Sequence, residues 1–368
     1  MQGKLIIREL AVALAACSVL IAAAPHADAQ VIPKKVTIAV ATTVLNVTYP
    51  WLMMAQALGY WHQEGYDVQV QPVGASLQAV QQMVGGNAQL GEIDSAVVLQ
   101  ANVVTKIPLR FVMMNGVIDT RISVLEDGDI KSVADLKGKA IGVFSLASGA
   151  IPLIKSYLAA NGLDPNKDVN IIPVGFGAQP VDALRTNKVQ ALVYWGSANA
   201  NFENVGLKLR YFSDPAWSKI PGFSLVALQK TIDADPDMIV AIARGAAKAS
   251  LFAETNPDCV RKLQWAHWPD TKPRGAPDEA TAAKWDLRNL SSQLFTMQQA
   301  YDLDGSKLWG SIVALDYGRM QDFMFETKQV TEKVPNETFM ITVPNFYQKI
   351  NDFDHDAVIA QAKSCEVL

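Results

Sequence analysis

Residues 36–95 change hydrophobic period several times. Val36, Thr37, Ile38 and Val40 form a short β-branched run with the composition of a strand. A polar loop over 41–46 leads into a helical segment opened by Pro50. Gly59 and Gly65 bracket the turn where that helix gives way to an extended run ending at Val73, because glycine takes the positive φ that other residues resist. Residues 77–86 read as helix again, and 88–95 as a strand running into another helix. Strands alternating with helices of about a dozen residues predict parallel βαβ units, hence an α/β fold. In such sheets ligands bind beyond the carboxyl ends of the strands, so the loops that follow strands are the place to look for function.

The alternation continues. Residues 109–115 read as a strand, and 122–125 as an extended segment leading to a capped turn, Asp135-Leu136-Lys137-Gly138-Lys139, and a further strand ending at Val143. A helix over 148–160, a Gly-Leu-Asp-Pro turn at 162–165, a helix over 178–187, a strand over 189–194 and a segment over 205–212 follow. Residues 221–228 read as a return crossover. Beyond 235 the pattern is helical, with helices expected over 236–255, 279–300 and 315–328 and with Pro257, Pro269, Pro273, Pro277 and Pro335 as breakers. Trp265, Trp268, Trp285 and Trp309 fall here and fit packing better than ligand platforms.

The ordered series from Val36 through the 50–68 segment to Leu90-Gly91-Glu92-Ile93-Asp94-Ser95, together with the 130–143 stretch around Asp135-Leu136-Lys137-Gly138-Lys139, resembles the extracytoplasmic solute-binding proteins of ABC importers. The branch is the NMT1/THI5-like one, which contains taurine, sulfonate, nitrate and thiamine-pyrimidine precursor binders. The resemblance covers residues 34–230 and extends more loosely over the helical tail. It implies a two-lobed, type II-like periplasmic-binding-protein fold with two hinge crossovers and a helical C-terminal extension. The expected boundaries are a signal peptide at 1–29, the first part of lobe 1 at 30–117, lobe 2 at 118–221, and the rest of lobe 1 at 222–368. The implied function is capture of a small solute in the interlobe cleft and its delivery to an inner-membrane ABC permease by a monomer. Two other readings stay open: an enzyme like the pyrimidine-precursor synthases that share this fold, and a solute-sensing subunit for a membrane receptor. Neighbouring permease and ATPase genes would separate importer from sensor.

The ends and the composition sharpen this picture. Lys4 and Arg8 precede an apolar stretch over 10–24, and Ala27-Asp28-Ala29 is a small-x-small cleavage site, so export to the periplasm with cleavage after Ala29 is expected. Leu14-Ala15-Ala16-Cys17 resembles a lipoprotein box, but the apolar core continues past Cys17. A formal net charge of −4 gives no reason to expect a nucleic-acid partner. After cleavage Cys259 and Cys365 remain, open to a disulfide or to two free thiols. His26, His62, His267 and His355 are scattered at no metal-ligand spacing, and no cofactor motif is present.

Candidate ligand contacts follow from position. Thr42, Thr43 and Asn46 come just after the first strand and Tyr49 opens the next helix, although Thr and Asn also serve loops and caps. Asp94 and Ser95 follow the third strand, where either also suits a helix cap; with Glu92 nearby, two carboxylates would repel a free anion and weigh against sulfonate or nitrate. Ser145 and Ser148 sit in the loop and first turn after the strand ending at Val143, where small residues let backbone N–H groups approach a ligand. Trp195 occupies a position that the family resemblance marks as often tryptophan in taurine-type binders. Arg121, near the first crossover, is a candidate carboxylate clamp or a solvated hinge residue. Hydroxyls, an amide, an indole and two acids suit a polar or aromatic organic solute better than a bare inorganic anion. The loops hold no nucleophile with a nearby base, which argues against an enzyme.

Overall fold

The computed structural model describes residues 33–366. Its first part runs β1 (Lys34–Val40), α1 (Pro50–Ala57), α2 (Tyr60–Gln63), β2 (Tyr66–Pro72), α3 (Ser76–Val84), β3 (Leu90–Asp94), α4 (Ser95–Val103) and β4 (Leu109–Met114). The chain then crosses to β5 (Arg121–Leu125), β6 (Ala140–Val143), α5 (Ala150–Ala160), β7 (Asn170–Pro173), α6 (Ala178–Arg185), β8 (Ala191–Tyr194), α7 (Gly196–Asn204) and β9 (Leu209–Phe212). It returns through β10 (Phe223–Leu228) to α8 (Gln229–Ala234), α9 (Pro236–Thr255), α10 (Pro257–His267), α11 (Glu279–Leu303), α12 (Ala314–Glu326), α13 (Phe346–Ile350) and α14 (His355–Ser364).

Two five-stranded sheets result, ordered β2-β1-β3-β10-β4 and β7-β6-β8-β5-β9. In each sheet the strand in the fourth position has just arrived from the other lobe, and it runs antiparallel to its neighbours: β10 against β3 and β4, β5 against β8 and β9. The remaining pairs are parallel, as βαβ connections require. Both connections between the sheets meet side by side. Gly222 N–H donates to Gly116 O (2.8 Å) and Ile118 N–H to Ile220 O (2.9 Å). Gly222 is required here, because a Cβ would lie 2.7 Å from the Val117 carbonyl oxygen.

Local chemistry explains where several elements start. Pro257 was expected to break a helix; it does end α9, but it also occupies the first turn of α10, where Asn256 Oδ1 accepts from Cys259 N–H (3.1 Å). Proline has no N–H to lose at that position. Pro236 opens α9 in the same way under an Asp235 cap. The 50–68 segment divides at Gly59, whose φ of 67° ends α1 and leaves the four-residue α2 before β2. The helix expected from 148 begins at Ala150, because 145–149 form turns, and the strand expected from 189 begins at Ala191.

The core places the helical tail. Trp51, Leu52 and Met54 of α1 pack with Ile239, Ile242 and Ala246 of α9, all at 2% exposure or less. A second apolar cluster runs from Ile93 and Phe111 in the first sheet through Leu153 and Leu158 of α5 to Tyr317 and Met320 of α12, so the tail braces both lobes. Helix α11 crosses between them: Trp265 Nε1 of α10 donates to its Asp286 (2.6 Å), while Asn204 Nδ2 of α7 donates to its Asn289 Oδ1 (3.1 Å). Cys259 and Cys365 are joined in a disulfide, which ties α10 to the end of α14. Among the described residues no helix is long and apolar enough to cross a membrane. The expected signal peptide, its cleavage site at Ala29 and Cys17 lie outside the described residues.

Candidate functional site

The loops after β1 and β3 of one sheet face those after β6 and β8 of the other, and the space between them is a cavity of about 780 Å³ including its open mouth. Tyr49, Trp51, Ser76 and Asp94 form the wall of the first lobe. Phe144, Ser148 and Trp195 form the wall of the second, and Asp119, Thr120 and Phe223 come from the crossovers. Gln293 and Thr296 of α11 close one side.

The aromatic side chains are locked by one another. Trp195 stacks on Phe176 with ring centroids 5.9 Å apart and 6° between planes, and meets Phe144 edge-on, also at 5.9 Å. Across the cavity Tyr49 packs against Trp51 (5.8 Å) and Phe223 (6.2 Å). Such rings present rigid apolar faces at little conformational cost.

Beneath Trp51 lies the fully buried Glu92. Trp51 Nε1 donates to Glu92 Oε2 (3.2 Å), and Asn115 Nδ2 donates to both carboxylate oxygens (3.0 and 2.9 Å). Burial pushes the Glu92 carboxyl up to about 8, with the Asn115 and Trp51 hydrogen bonds opposing and the charge of Asp94 adding to the rise. Burial also pushes Asp94 up to about 6, opposed by Ser76 and reinforced by the charge of Asp119. Asp119 is raised to about 6 by burial, against the Gly196 N–H bond (2.8 Å) and the charge of Arg121. Near neutral pH Asp94 and Asp119 are therefore chiefly ionised and Glu92 chiefly neutral.

The residues singled out in the sequence separate into three groups. Tyr49, Asp94, Ser148 and Trp195 line the cavity. The Ser148 Oγ also accepts from Ala150 N–H (3.2 Å) in the turn ahead of α5, whose N-cap is Gly149 and not Ser148. Thr42 and Asn46 line an adjoining recess that shares Tyr49 and Trp195 with the cavity, and Asn46 Oδ1 accepts from Thr48 N–H and Oγ1–H (3.0 and 2.7 Å).

Thr43, Ser95 and Ser145 line neither space. Thr43 is exposed; Ser95 is buried with its Oγ donating to Pro221 O (2.5 Å), which pins the return crossover; Ser145 Oγ accepts from Ala147 N–H (3.2 Å). Arg121 does not reach the main cavity. Its guanidinium lies over the Tyr211 ring (5.4 Å) and lines, with Asp214 and Trp217, an outer recess that shares Asp119 and Thr120 with the cavity. The cause is strand register: Ser123 pairs with Tyr211, so Arg121, two residues away on β5, shares a sheet face with that ring.

Several wall residues were missed in the sequence. Asp119 and Thr120 lie in a crossover that was legible as a hinge but not as a wall. Ser76 follows a strand and fits the same positional rule that selected Asp94. Gln293 and Thr296 lie on a helix, about 180 residues downstream of Gly116, and nothing in their local sequence marks them.

The sequence matches the NMT1/THI5-like family over residues 47–259, more than half of its length. The chain belongs to the NMT1/THI5-like family. No curated protein matches it. Solved structures with the same fold include one from Bordetella bronchiseptica RB50 (22% identity, covering 90% of this chain and 97% of that one, TM-score 0.61). Another is the alkanesulfonate-binding protein SsuA from Xanthomonas axonopodis pv. citri bound to MOPS (16% identity, 84% and 98% covered, TM-score 0.63). A third is a Cys-to-Ser mutant of the desulfurization enzyme DszB in complex with biphenyl-2-sulfinic acid (16% identity, 87% and 99% covered, TM-score 0.56). At these identities the likeness is one of fold, and this NMT1/THI5-like protein has the two-lobed α/β architecture of periplasmic binding proteins. The fold hosts both binders and an enzyme, so function has to be argued from the cleft.

Proposed function

We propose that this protein is the extracytoplasmic solute-binding component of an ABC importer, capturing a small polar or aromatic organic solute between its lobes and handing it unchanged to a membrane permease. The observation that carries this reading is that one cavity draws its walls from the strand ends of both sheets and from both crossovers. A molecule held there touches both lobes, and only such a molecule favours the closed arrangement over an open one. On this reading 30–117 and 222–368 move as one lobe against 118–221, export follows cleavage after Ala29, and the mature protein works in the periplasm as a monomer.

The chemistry of the walls supports capture over catalysis. The cavity is lined by no cysteine or histidine among the described residues, and the Cys259 and Cys365 thiols are tied in a disulfide outside that lining. Ser148 Oγ accepts from a backbone N–H, and among the described residues no carboxylate or imidazole is hydrogen-bonded to it. An enzyme of the DszB type is the reading to test against.

Small-angle scattering of the mature protein with and without its solute, combined with mass spectrometry of the recovered solute, separates the two. Contraction of the radius of gyration and return of an unaltered molecule are expected. A transformed product would establish an enzyme, and an unchanged radius would remove the closing motion.

A further inference from the structure

If the cleft is a solute site, as proposed above, its walls also set the charge of the solute. An anion needs backbone N–H groups at helix N-termini or basic side chains. Both helix N-termini that the second lobe presents to this cavity, those of α5 and α7, already meet the protein's own carboxylates, and in the first lobe the Ser76 hydroxyl at the start of α3 donates to Asp94 Oδ2 (3.4 Å). Asp119 Oδ2 accepts from the N–H of Gly196, the first residue of α7 (2.8 Å). Asp94 abuts Gly149, the residue before α5, so closely that a Cβ at 149 would lie 2.0 Å from the Asp94 Cβ.

Among the described residues no lysine, arginine or histidine lines the cavity and neither aspartate forms an ion pair. Arg121 is the compensating charge on the Asp119 side, but its guanidinium rests on Tyr211 in the outer recess. Thr120, 8% exposed, adds a wall hydroxyl with no hydrogen-bond partner among the described residues. Tyr49, Trp51, Phe144, Trp195 and Phe223 supply the aromatic part of the remaining walls, and ring faces attract cations.

We infer that the cleft takes a small organic cation, a protonated amine or amidine on a flat or apolar body, with its charge facing Asp94 and Asp119 and its body against Tyr49, Phe144 and Trp195. Burial raises both carboxyls to about 6, with the charge of Asp119 adding to the rise at Asp94, and a bound cation offsets this cost of holding them ionised. A bare metal ion fits less well: among the described residues no group of three or more His, Cys, Asp or Glu side chains is placed to hold one, and aromatic walls supply no ligands.

Binding then depends on pH. The titratable and charged groups around Asp94 are Glu92 on its own strand, Tyr49 and Asp119; Asp119 faces Asp94 and Arg121. Both aspartates are ionised at pH 7.5 and protonated at pH 5, so affinity for a cation falls as the solution is acidified.

The test uses the mature protein in thermal-shift and calorimetric titrations with matched probes. Benzyl, cyclohexylmethyl and n-hexyl bodies each carry an ammonium, hydroxyl or sulfonate end, and calcium and magnesium chloride are run alone. The expected result is binding led by an ammonium member and weakened about tenfold or more at pH 5 and in Asp94→Asn and Asp119→Asn, with the hydroxyl analogue changed less than about threefold. The amide oxygen introduced by Asp119→Asn retains an acceptor for Gly196 N–H, and the charge series on the unsubstituted protein stands even if a variant fails to fold. Tighter binding of sulfonates or alcohols, binding of a metal alone, or no binding by any probe overturns the inference. Contraction in scattering with a sulfonate or alcohol leaves the solute-binding reading standing without the cation, whereas absence of contraction with every class removes both.

Discussion

Glu92 shows how a buried side chain sets the pH response of the molecule. Its carboxyl titrates near 8 in the folded chain and in the ordinary carboxylate range when unfolded. Between those values the unfolded chain has released a proton that the folded chain keeps, so stability falls as pH rises from about 4.5 towards 8. Asp94 and Asp119, raised to about 6, contribute in the same direction between about 4 and 6. Glu92→Gln should remove the upper part of this loss. Gln keeps an acceptor for Trp51 Nε1, and with the Asn115 amide turned over its own amide donates to Asn115 Oδ1, which is buried without a partner. Melting curves from pH 5 to 8 should show the parent declining and the variant flatter over pH 6–8, by up to a few kcal/mol at the alkaline end. A variant that declines as steeply as the parent would mean that Glu92 is ionised in the fold.

At the scale of elements, the helical tail holds the lobes by contacts that leave no local signature. The Cys259–Cys365 disulfide spans a separation of 106 residues, and closing so long a loop restricts the unfolded chain more than the folded one. Cys259→Ala, or reduction of the parent, should therefore lower stability by about 2–5 kcal/mol. Chemical denaturation with and without reductant measures it, and equal midpoints would place the stabilisation in packing alone. The Arg288–Glu203 ion pair between α11 and α7 is partly exposed and contributes little. The apolar and amide contacts of α11 matter more to how the lobes are joined.

For the molecule as a whole, the approach of Asp94 to Gly149 is one place where the lobes touch across the cleft, near the bond from Leu77 N–H to Ala147 O (3.4 Å). Gly149→Ala would place a methyl 2.0 Å from the Asp94 Cβ, inside any contact distance, so the lobes must part to accept it. The variant should show a larger radius of gyration than the parent, with solute present or absent, and weaker binding. A radius equal to the parent's would show that Asp94 gives way locally and that closure does not depend on this contact.

The periodic signals along the chain were sufficient for the α/β class and for placing Tyr49, Asp94 and Ser148 in loops that line the cavity, whereas Trp195 came from the family resemblance. These rest on local physics: β-branched runs, glycine at positive φ, and the rule that parallel strands present ligands at their carboxyl ends. Tertiary structure decided the rest. Whether Arg121 enters the cleft depends on its register against Tyr211, and whether Ser95 faces solute or Pro221 depends on where a crossover 126 residues later returns. Asp119, Gln293 and Thr296 join the site only because the crossovers and α11 converge on it. A periodic pattern records which face of an element is buried, but which distant element buries it is settled by packing.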